Sequence, residues 1–201
     1  MATKLSTSLN HFFDTNVLLR HANDDSGHEA QDIDKILRES VGPGKKRNIW
    51  ISSVLLAELR PSNFVPGKFE SVDDLGAYIR SVATVVTPDF ATMMRVARLR
   101  DLKWCRPNSQ AGEKARQMTL GDAIHIASAI WVKEVVGVKD LEFLTFDDGK
   151  SDSDELDPES KSLSLLRLED YTDGMAGNAD VRAAVMLRRI KPILSLQQSF
   201  V

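Results

Sequence analysis

The chain has 201 residues, of which 42% are hydrophobic and 27% are charged, and these proportions exclude a disordered or fibrous protein. Its formal net charge of −3 excludes attraction of polyanions over the whole surface, so nucleic-acid contact would require local basic clusters. The single cysteine, Cys105, allows neither an internal disulfide nor a thiolate zinc cluster. Since we also find no secretory signal and no membrane-spanning apolar run, we expect a cytoplasmic protein with no membrane partner.

The first half of the chain is predicted to alternate short strands with helices. An apolar and aromatic run that ends abruptly at Asp14 indicates a buried strand, and prolines and glycines separate the later elements. In chain order we predict a strand over 9–13, helices over 17–22 and 29–40, a strand over 48–52, helices over 54–59 and 73–82, and a strand over 84–87.

The second half continues this alternation, and its strongest signal is a helix over 120–136 with apolar residues at i, i+3, i+4 and i+7. A second helix is predicted over 89–104, with the apolar repeat Phe90, Met93, Met94, Ala97 and Leu99. The other predictions are a polar loop over 107–118, a strand over 141–146, a solvated acidic loop over 150–161, a strand or short helix over 163–168, and a terminal helix over 180–190. Strands separated by helices predict an α/β fold, a mostly parallel sheet with helices on both faces. We expect one domain over 1–171 and a helical tail over 172–201 packed on it.

Three groups of basic residues are candidates for contact with a polyanion. They are Lys45, Lys46 and Arg47; Arg95, Arg98, Arg100, Lys103 and Arg106; and Arg188, Arg189 and Lys191. Each group can equally be interpreted as the solvated part of a loop or helix, so the sequence leaves their role open.

Two acidic residues stand where predicted strands end. Asp14 follows the first strand and Asp147 follows the strand over 141–146. Ligand sites in open parallel sheets form at the carboxyl ends of the strands, so we expect both carboxylates to face one crevice. Each residue also has a structural interpretation, because Asp14 can cap the next helix and Asp147 can belong to an Asp-Gly turn.

Two further acidic residues lie on predicted helices. Asp122 stands three residues after Thr119, the spacing of a capping box, but Gly121 is a poor helix former at a place where close backbone approach is useful. His125 lies one turn beyond Asp122, and we interpret it as a partly buried polar residue rather than a catalytic one. Glu58 is either a surface acid or a long side chain that reaches the acidic crevice.

The four acids occur within segments that resemble the PIN-domain family in order along the chain. The segments are 12–18 (FFDTNVL), 51–59 (ISSVLLAEL), 120–129 (LGDAIHIASA) and 144–147 (LTFD), and the third is the most specific. The resemblance covers about residues 9 to 170. It implies a three-layer PIN-like fold. The chain departs from the compact members of the family in the acidic stretch over 150–159 and in the tail after Tyr171.

The resemblance implies a hydrolase, a metal-dependent ribonuclease. Asp14 and Asp122 would be the central ligands of Mg²⁺ or Mn²⁺, and Glu58 and Asp147 would complete the site. Asn16 and Thr145 would support these ligands or contact phosphate, and Asp148 is a substitute for Asp147. Such ions take oxygen ligands, which agrees with the residue types. VapC-like members of the family also imply an RNA substrate, a toxin–antitoxin pair with an antitoxin protein as partner, and a homodimer.

Two other functions were weighed against this one. A phosphatase of the haloacid-dehalogenase type needs a second acid two residues after the first, and Asn16 occupies that position. The second alternative is a PIN-like scaffold that binds RNA or protein without cleavage. Loss of one of the acids would indicate it, and all four are present.

Overall fold

The computed structural model describes residues 8–23, 27–60, 64, 69–107, 115–149 and 163–194. These residues form a five-stranded, all-parallel sheet in the order β3-β2-β1-β4-β5. The elements are β1 (Asn10–Phe13), α1 (Thr15–Asn23), α2 (His28–Arg38), β2 (Asn48–Ser52), α3 (Leu55–Glu58), α4 (Val72–Val82), β3 (Thr84–Val86), α5 (Phe90–Asp101), α6 (Leu120–Trp131), β4 (Glu142–Leu144), a 3-10 helix (Leu165–Tyr171), α7 (Ala179–Met186) and β5 (Arg188–Ile190).

Helices cover both faces of the sheet. Consecutive side chains of its central strand point in opposite directions and so enter two different cores. Phe12 of β1 packs in one core with α5, α6 and α7, whereas Phe13 packs in a second core with α1, α2 and α4. Both phenylalanines are fully buried. The predicted α/β class and the three-layer arrangement are therefore confirmed.

The most strongly predicted helix is also confirmed at its start. Thr119 caps α6 by accepting a hydrogen bond from the backbone N–H of Asp122, and a π-helical turn over Val132–Val136 extends α6 to the predicted end. Along α6 all residues from Ala123 to Ile130 are buried, because the helix lies between the sheet and α5. No helix within the described ranges is long and apolar enough to cross a membrane.

The apolar repeat predicted along α5 does not form its buried face. Phe90, Met93, Met94 and Ala97 are exposed, with Phe90 at 82%, and the buried residues are Thr92, Val96 and Leu99. Both sets have helical spacing, and the contact with α6 determines which one is covered. Of the predicted repeat, only Leu99 lies in the core, and the helix ends three residues before the predicted position.

The C-terminal part of the chain differs from the predicted helical tail. The helix predicted over 180–190 ends at Met186, and Arg188–Ile190 pairs with β4 as an edge strand of the same sheet. The segment over 163–168, predicted as a strand or a helix, is a 3-10 helix. The acidic loop predicted over 150–161 and most of the loop over 107–118 lie outside the described residues.

A buried polar network lies at the amino end of the sheet. His11 on β1 is fully buried, and its Nε2 accepts a hydrogen bond of 2.8 Å from the Arg47 guanidinium. The Glu142 carboxylate lies 3.7 Å from His11 Nδ1 and pairs with Arg188 on β5. Burial, followed by the charge of Arg47, lowers the pKa of His11 from 6.5 to about 3. His11 is therefore neutral in the folded protein at any physiological pH.

This lowered pKa predicts destabilisation by acid. Below pH 6.5 the unfolded chain takes up a proton that folded His11 does not accept, so stability falls between pH 6.5 and about 3. His11 alone should cost about 2 kcal/mol of unfolding free energy by pH 5 relative to pH 7.5. The measurement is urea unfolding of the wild type and of His11→Gln at both pH values. Equal losses in the two proteins would contradict the prediction.

Candidate active site

The four predicted acids lie at the carboxyl edge of the sheet. Asp14 directly follows β1, and its N–H donates to Leu144 O at the end of β4. Asp147 lies three residues after β4, and Glu58 ends the short helix that follows β2. Asp122 lies in the first turn of α6. The chain thus brings to one region four carboxylates that are far apart in sequence.

Asp14 is the most buried of the four, with 4% of its surface exposed. Its Oδ2 accepts hydrogen bonds of 2.7 Å from Asn16 Nδ2 and 2.6 Å from Thr145 Oγ1, and its Oδ1 accepts one from the Thr15 N–H. Asn16 is fixed in turn, because its Oδ1 accepts from the Phe146 N–H. Asn16 and Thr145 therefore hold the Asp14 carboxylate in one orientation.

Glu58 reaches the site and binds its neighbours through one oxygen. Its Oε2 accepts a hydrogen bond from Thr15 Oγ1 and lies 3.0 Å from His125 Nε2, while 34% of its side chain stays exposed. His125 also lies 2.9 Å from Thr15 Oγ1, and only 1% of its surface is exposed. The three side chains form one hydrogen-bonded triangle beside Asp14.

Gly121 makes the position of Glu58 possible. A Cβ atom at Gly121 would lie 2.0 Å from Glu58 Oε1, which is far inside van der Waals contact. The Glu58 carboxylate therefore occupies the space that any other residue at 121 would fill. The close approach expected at this glycine is confirmed, and the atom that approaches belongs to a predicted site residue.

Asp122 and Asp147 are held by hydrogen bonds that also have a structural role. Thr119 binds Asp122 at the start of α6, so the predicted capping interaction is present. Asp147 accepts from the N–H groups of Gly149, at 2.8 Å, and Leu165, at 3.3 Å, and Gly149 has a φ of +76°. The predicted Asp-Gly turn is therefore present too. It fixes Asp147 without removing it from the crevice.

The pKa values of the three aspartates are raised. Burial is the main cause for each, and neighbouring carboxylates add to it: Asp147 raises the pKa of Asp14, Asp14 and Glu58 raise that of Asp122, and Asp122 and Asp148 raise that of Asp147. Since these effects require proximity, the carboxylates lie near one another at this edge of the sheet. The site concentrates negative charge that a cation would stabilise.

Glu58 and His125 behave as a charge pair. The hydrogen bond with His125 lowers the pKa of Glu58. Burial acts to lower the pKa of His125, but the bond with Glu58 and the charges of Asp14, Glu58 and Asp122 together outweigh it and raise that pKa. The neighbouring carboxylates thus favour the protonated form of the His125 imidazole at one side of the site.

The donor set fits a hard divalent cation in chemistry. Among the described residues, no three side chains of His, Cys, Asp and Glu are grouped closely enough to share one metal ion. The available donors are nonetheless carboxylate oxygens, the ligands that Mg²⁺ and Mn²⁺ prefer, and burial together with neighbouring carboxylates raises the pKa values of the three aspartates.

Most of the basic residues singled out in the sequence do not serve this site. Lys45, Lys46 and Arg47 precede β2 and lie at the opposite edge of the sheet. Arg95 and Arg98 pair with Asp180, Arg188 pairs with Glu142, and Arg189 pairs with Glu169. From the second group, Arg106 is bound instead to an aromatic side chain, Tyr171.

Two contacts of the site were missed in the sequence. Thr15 binds both Glu58 and His125, and nothing in its own type or spacing indicates this. The backbone N–H of Leu165 reaches Asp147 from a segment with ambiguous periodicity. His125 did carry a signal, because it stands one helical turn from Asp122, but it was interpreted as a residue without a role in the site.

Comparison with known proteins adds no family: no protein-family model matches the chain, and no curated protein matches its sequence. Fold and geometry therefore define the class. It is an α/β protein with a crevice of carboxylates at the carboxyl edge of a parallel sheet.

Proposed function

We propose that the protein is an Mg²⁺- or Mn²⁺-dependent endoribonuclease whose metal ligands are Asp14, Glu58, Asp122 and Asp147. The observation that carries the proposal is the placement of Asp14, Asp122 and Asp147 at the carboxyl edge of the sheet, where burial, with a smaller contribution from neighbouring carboxylates, raises the pKa of each. Parallel sheets bind ligands at this edge. Carboxylates that repel one another in a partly solvated crevice are typical of a divalent cation site.

The side chains around the acids determine what each can do. When bound, the cation would supply a Lewis acid that activates water and neutralises phosphate charge. Asn16 and Thr145 direct the Asp14 carboxylate, and the N–H groups of Gly149 and Leu165 direct that of Asp147. Thr15 and His125 hold Glu58 against Gly121. Each acid is thereby oriented before substrate arrives, which reduces the entropy lost on binding.

The finer parts of the proposal rest on the resemblance to PIN domains. These parts are RNA rather than DNA as substrate, a toxin role with a cognate antitoxin, and a homodimer. A location in the cytoplasm is proposed instead from the single cysteine, which is typical of a reducing compartment. The preference for oxygen-binding ions has additional support, because the described site contains no cysteine and its one imidazole is bound to Glu58.

The test is cleavage of a mixed single-stranded RNA pool by the full chain with Mg²⁺, with Mn²⁺ and with a chelator. Cleavage should require the metal and should be lost in Asp14→Asn, which serves as the control for a contaminating nuclease. In addition, Mn²⁺ should raise the thermal midpoint of the wild type, because a ligand that binds only the folded state stabilises it.

The possible results separate the candidate functions. Equal cleavage by wild type and Asp14→Asn would refute the site. Absence of cleavage, together with RNA or protein binding that does not require metal, would instead establish the non-catalytic scaffold. Cleavage of DNA but not RNA would keep the metal centre and correct the substrate.

A further inference from the structure

Arg20 of α1 lies on the side of that helix that faces the acids of the candidate site. It follows Asn16 by one helical turn, so the two residues share one face of α1. Asn16 already serves the site, because its Nδ2 donates to Asp14 Oδ2. Side chains of a helix also lean toward its amino end, and α1 begins directly after Asp14. The Arg20 side chain is therefore directed toward the carboxyl edge of the sheet.

An aromatic ring beside the site holds the Arg20 side chain in place. The guanidinium carbon of Arg20 lies 5.2 Å from the centre of the Phe146 ring, which is a cation–π distance. Phe146 stands between two residues of the site, Thr145 and Asp147. The hydroxyl of Thr145 donates to Asp14. Arg20 thus rests on the residue that directly precedes one of the proposed metal ligands.

The partner of Arg20 in this structure is a carboxylate on the neighbouring helix α2. Arg20 Nη2 lies 3.2 Å from Glu29 Oε2, and 46% and 36% of the two side chains are exposed. An ion pair as exposed as this contributes little to stability, so exchange of the Glu29 carboxylate for another anion costs little. The pair engages one nitrogen, whereas a guanidinium carries five N–H donors. Arg20 therefore does not have to be unpaired at rest in order to bind a second anion.

RNA that approaches the acids requires a positive contact beside them. The chain has a net charge of −3, and Asp14, Asp122 and Asp147 lie near one another at this edge of the sheet. A phosphodiester has the same sign of charge as these carboxylates, so they repel it unless cations offset the repulsion. A guanidinium is suited to this role, because its planar fork binds two oxygens of one phosphate. Arg20 offers such a group next to Asp147.

We infer that Arg20 binds a backbone phosphate of single-stranded RNA beside the acids, and that this phosphate displaces Glu29 from the guanidinium. The inference rests on the proposed function for the identity of the ligand. Because backbone phosphate carries no information about the bases, Arg20 positions RNA without regard to sequence. Glu29 is a competitor, which holds the guanidinium when RNA is absent and lowers its affinity for RNA.

The experiment measures the affinity of the full chain for a short, labelled single-stranded RNA by fluorescence anisotropy, in chelator so that the RNA is not cleaved. Arg20→Gln is expected to weaken binding about three- to tenfold, because a charge-assisted hydrogen bond is lost and a weak ion pair no longer has to break. The slope of log affinity against log salt should become shallower by about 0.7, the value for one phosphate contact on a single strand. Arg20→Lys, which keeps the charge, should retain most of that slope.

Glu29→Gln should have the opposite effect. Without the competing carboxylate, Arg20 binds phosphate directly, so affinity should rise about two- to fivefold. This gain should be absent when Arg20 is already replaced by glutamine, because Glu29 then has no guanidinium to occupy. A gain of equal size in the double variant would show that Glu29 acts by general charge repulsion, and it would overturn the exchange of partners.

The matched controls are Arg38→Gln and Asp34→Asn, which break a second exposed ion pair of α2. Asp34 has the same exposed fraction as Glu29, 36%. Arg38 adjoins Glu39, which pairs with a residue just before β2, so this pair lies toward the amino edge of the sheet. Both control variants should bind RNA with the affinity and salt slope of the wild type.

The outcomes separate this inference from the proposed function. Equal affinity and slope for Arg20→Gln and Arg38→Gln would refute the phosphate contact. Binding that depends on Arg20, in a protein that cuts no RNA, would keep the contact and reject the nuclease. Metal-dependent cleavage with a KM for RNA that Arg20→Gln leaves unchanged would keep the nuclease and reject the contact.

Discussion

Replacing Asp122 by asparagine is expected to reduce metal-dependent cleavage by roughly a thousandfold or more, because a ligand that helps to hold the metal contributes several kcal/mol to transition-state stabilisation. Folding should not suffer. The raised pKa of Asp122 means that its ionised form is disfavoured in the folded state. At neutral pH the variant should therefore be at least as stable as the wild type.

The pH dependence of the stability difference between Asp122→Asn and the wild type supplies a second test. Because the folded pKa of Asp122 lies above its unfolded value, the stability linked to protonation is present below the unfolded pKa and is lost as the pH rises through the folded pKa. The advantage of Asp122→Asn in unfolding free energy should thus be greatest at neutral pH and disappear in acid. Urea unfolding at several pH values measures it.

Asp101→Asn is the matched control for this substitution. Asp101 is the last residue of α5, and its side chain is exposed. The Asp101→Asn substitution should leave both cleavage and stability unchanged. Asp122 is also a better choice than Asp14 for a quantitative test, because both oxygens of Asp14 accept hydrogen bonds that an amide cannot reproduce. If Asp122→Asn cleaved RNA at the wild-type rate, Asp122 would not be a ligand.

Gly121→Ala, like Asp122→Asn, should lower activity without lowering stability. In this variant the cause is a steric clash alone. The new methyl group would occupy the position of Glu58 Oε1 and force that carboxylate away from Thr15 and His125. We expect a loss of activity of about 10- to 100-fold, the range typical of disturbed ligand orientation. Alanine also raises helix propensity by up to about 1 kcal/mol, so the free energy of unfolding should stay constant or increase.

A second helical glycine provides the comparison. A Cβ atom at Gly76 in α4 would meet only Arg80, at an ordinary contact distance of 3.5 Å. Gly76→Ala should therefore gain helix propensity and keep full activity. Similar activity in the two alanine variants would show that the position of Glu58 does not matter. A large loss of stability in Gly121→Ala would instead mean that the helix, and not the carboxylate, had moved.

The residues that sequence predicted correctly are those whose local signals and tertiary environment agree. The run that ends at Asp14 is apolar enough for a strand buried on both faces, and α6 is apolar around most of its circumference. Such elements are buried in almost any packing of this chain. Asp14 and Asp147 could be placed at one sheet edge because parallel strands put their carboxyl ends together. Glu58 and Asp122 lie on helices, and their place beside these two was expected from the resemblance.

The predictions that were wrong concern elements decided by distant contacts. Arg188–Ile190 begins with two arginines and has no strand signal, yet it pairs with β4, where Arg188 meets the buried Glu142. In α5, either of two helical faces had the required spacing, and the position of α6 selected the less apolar one. The bond from Thr15 to Glu58 joins residues 43 positions apart, and no local pattern encodes it.

The pairing of β1 with β4 connects residues 10–13 to residues 142–144 and places the Asp14 N–H against Leu144 O. During translation Asp14 leaves the ribosome long before β4, the strand that accepts its N–H, exists. A chain ended by a premature stop codon before β4 would carry three of the four acids but would lack Asp147 and the strand that bonds to Asp14. Under the proposed function, cleavage would therefore have to wait until β4 and Asp147 have been synthesised.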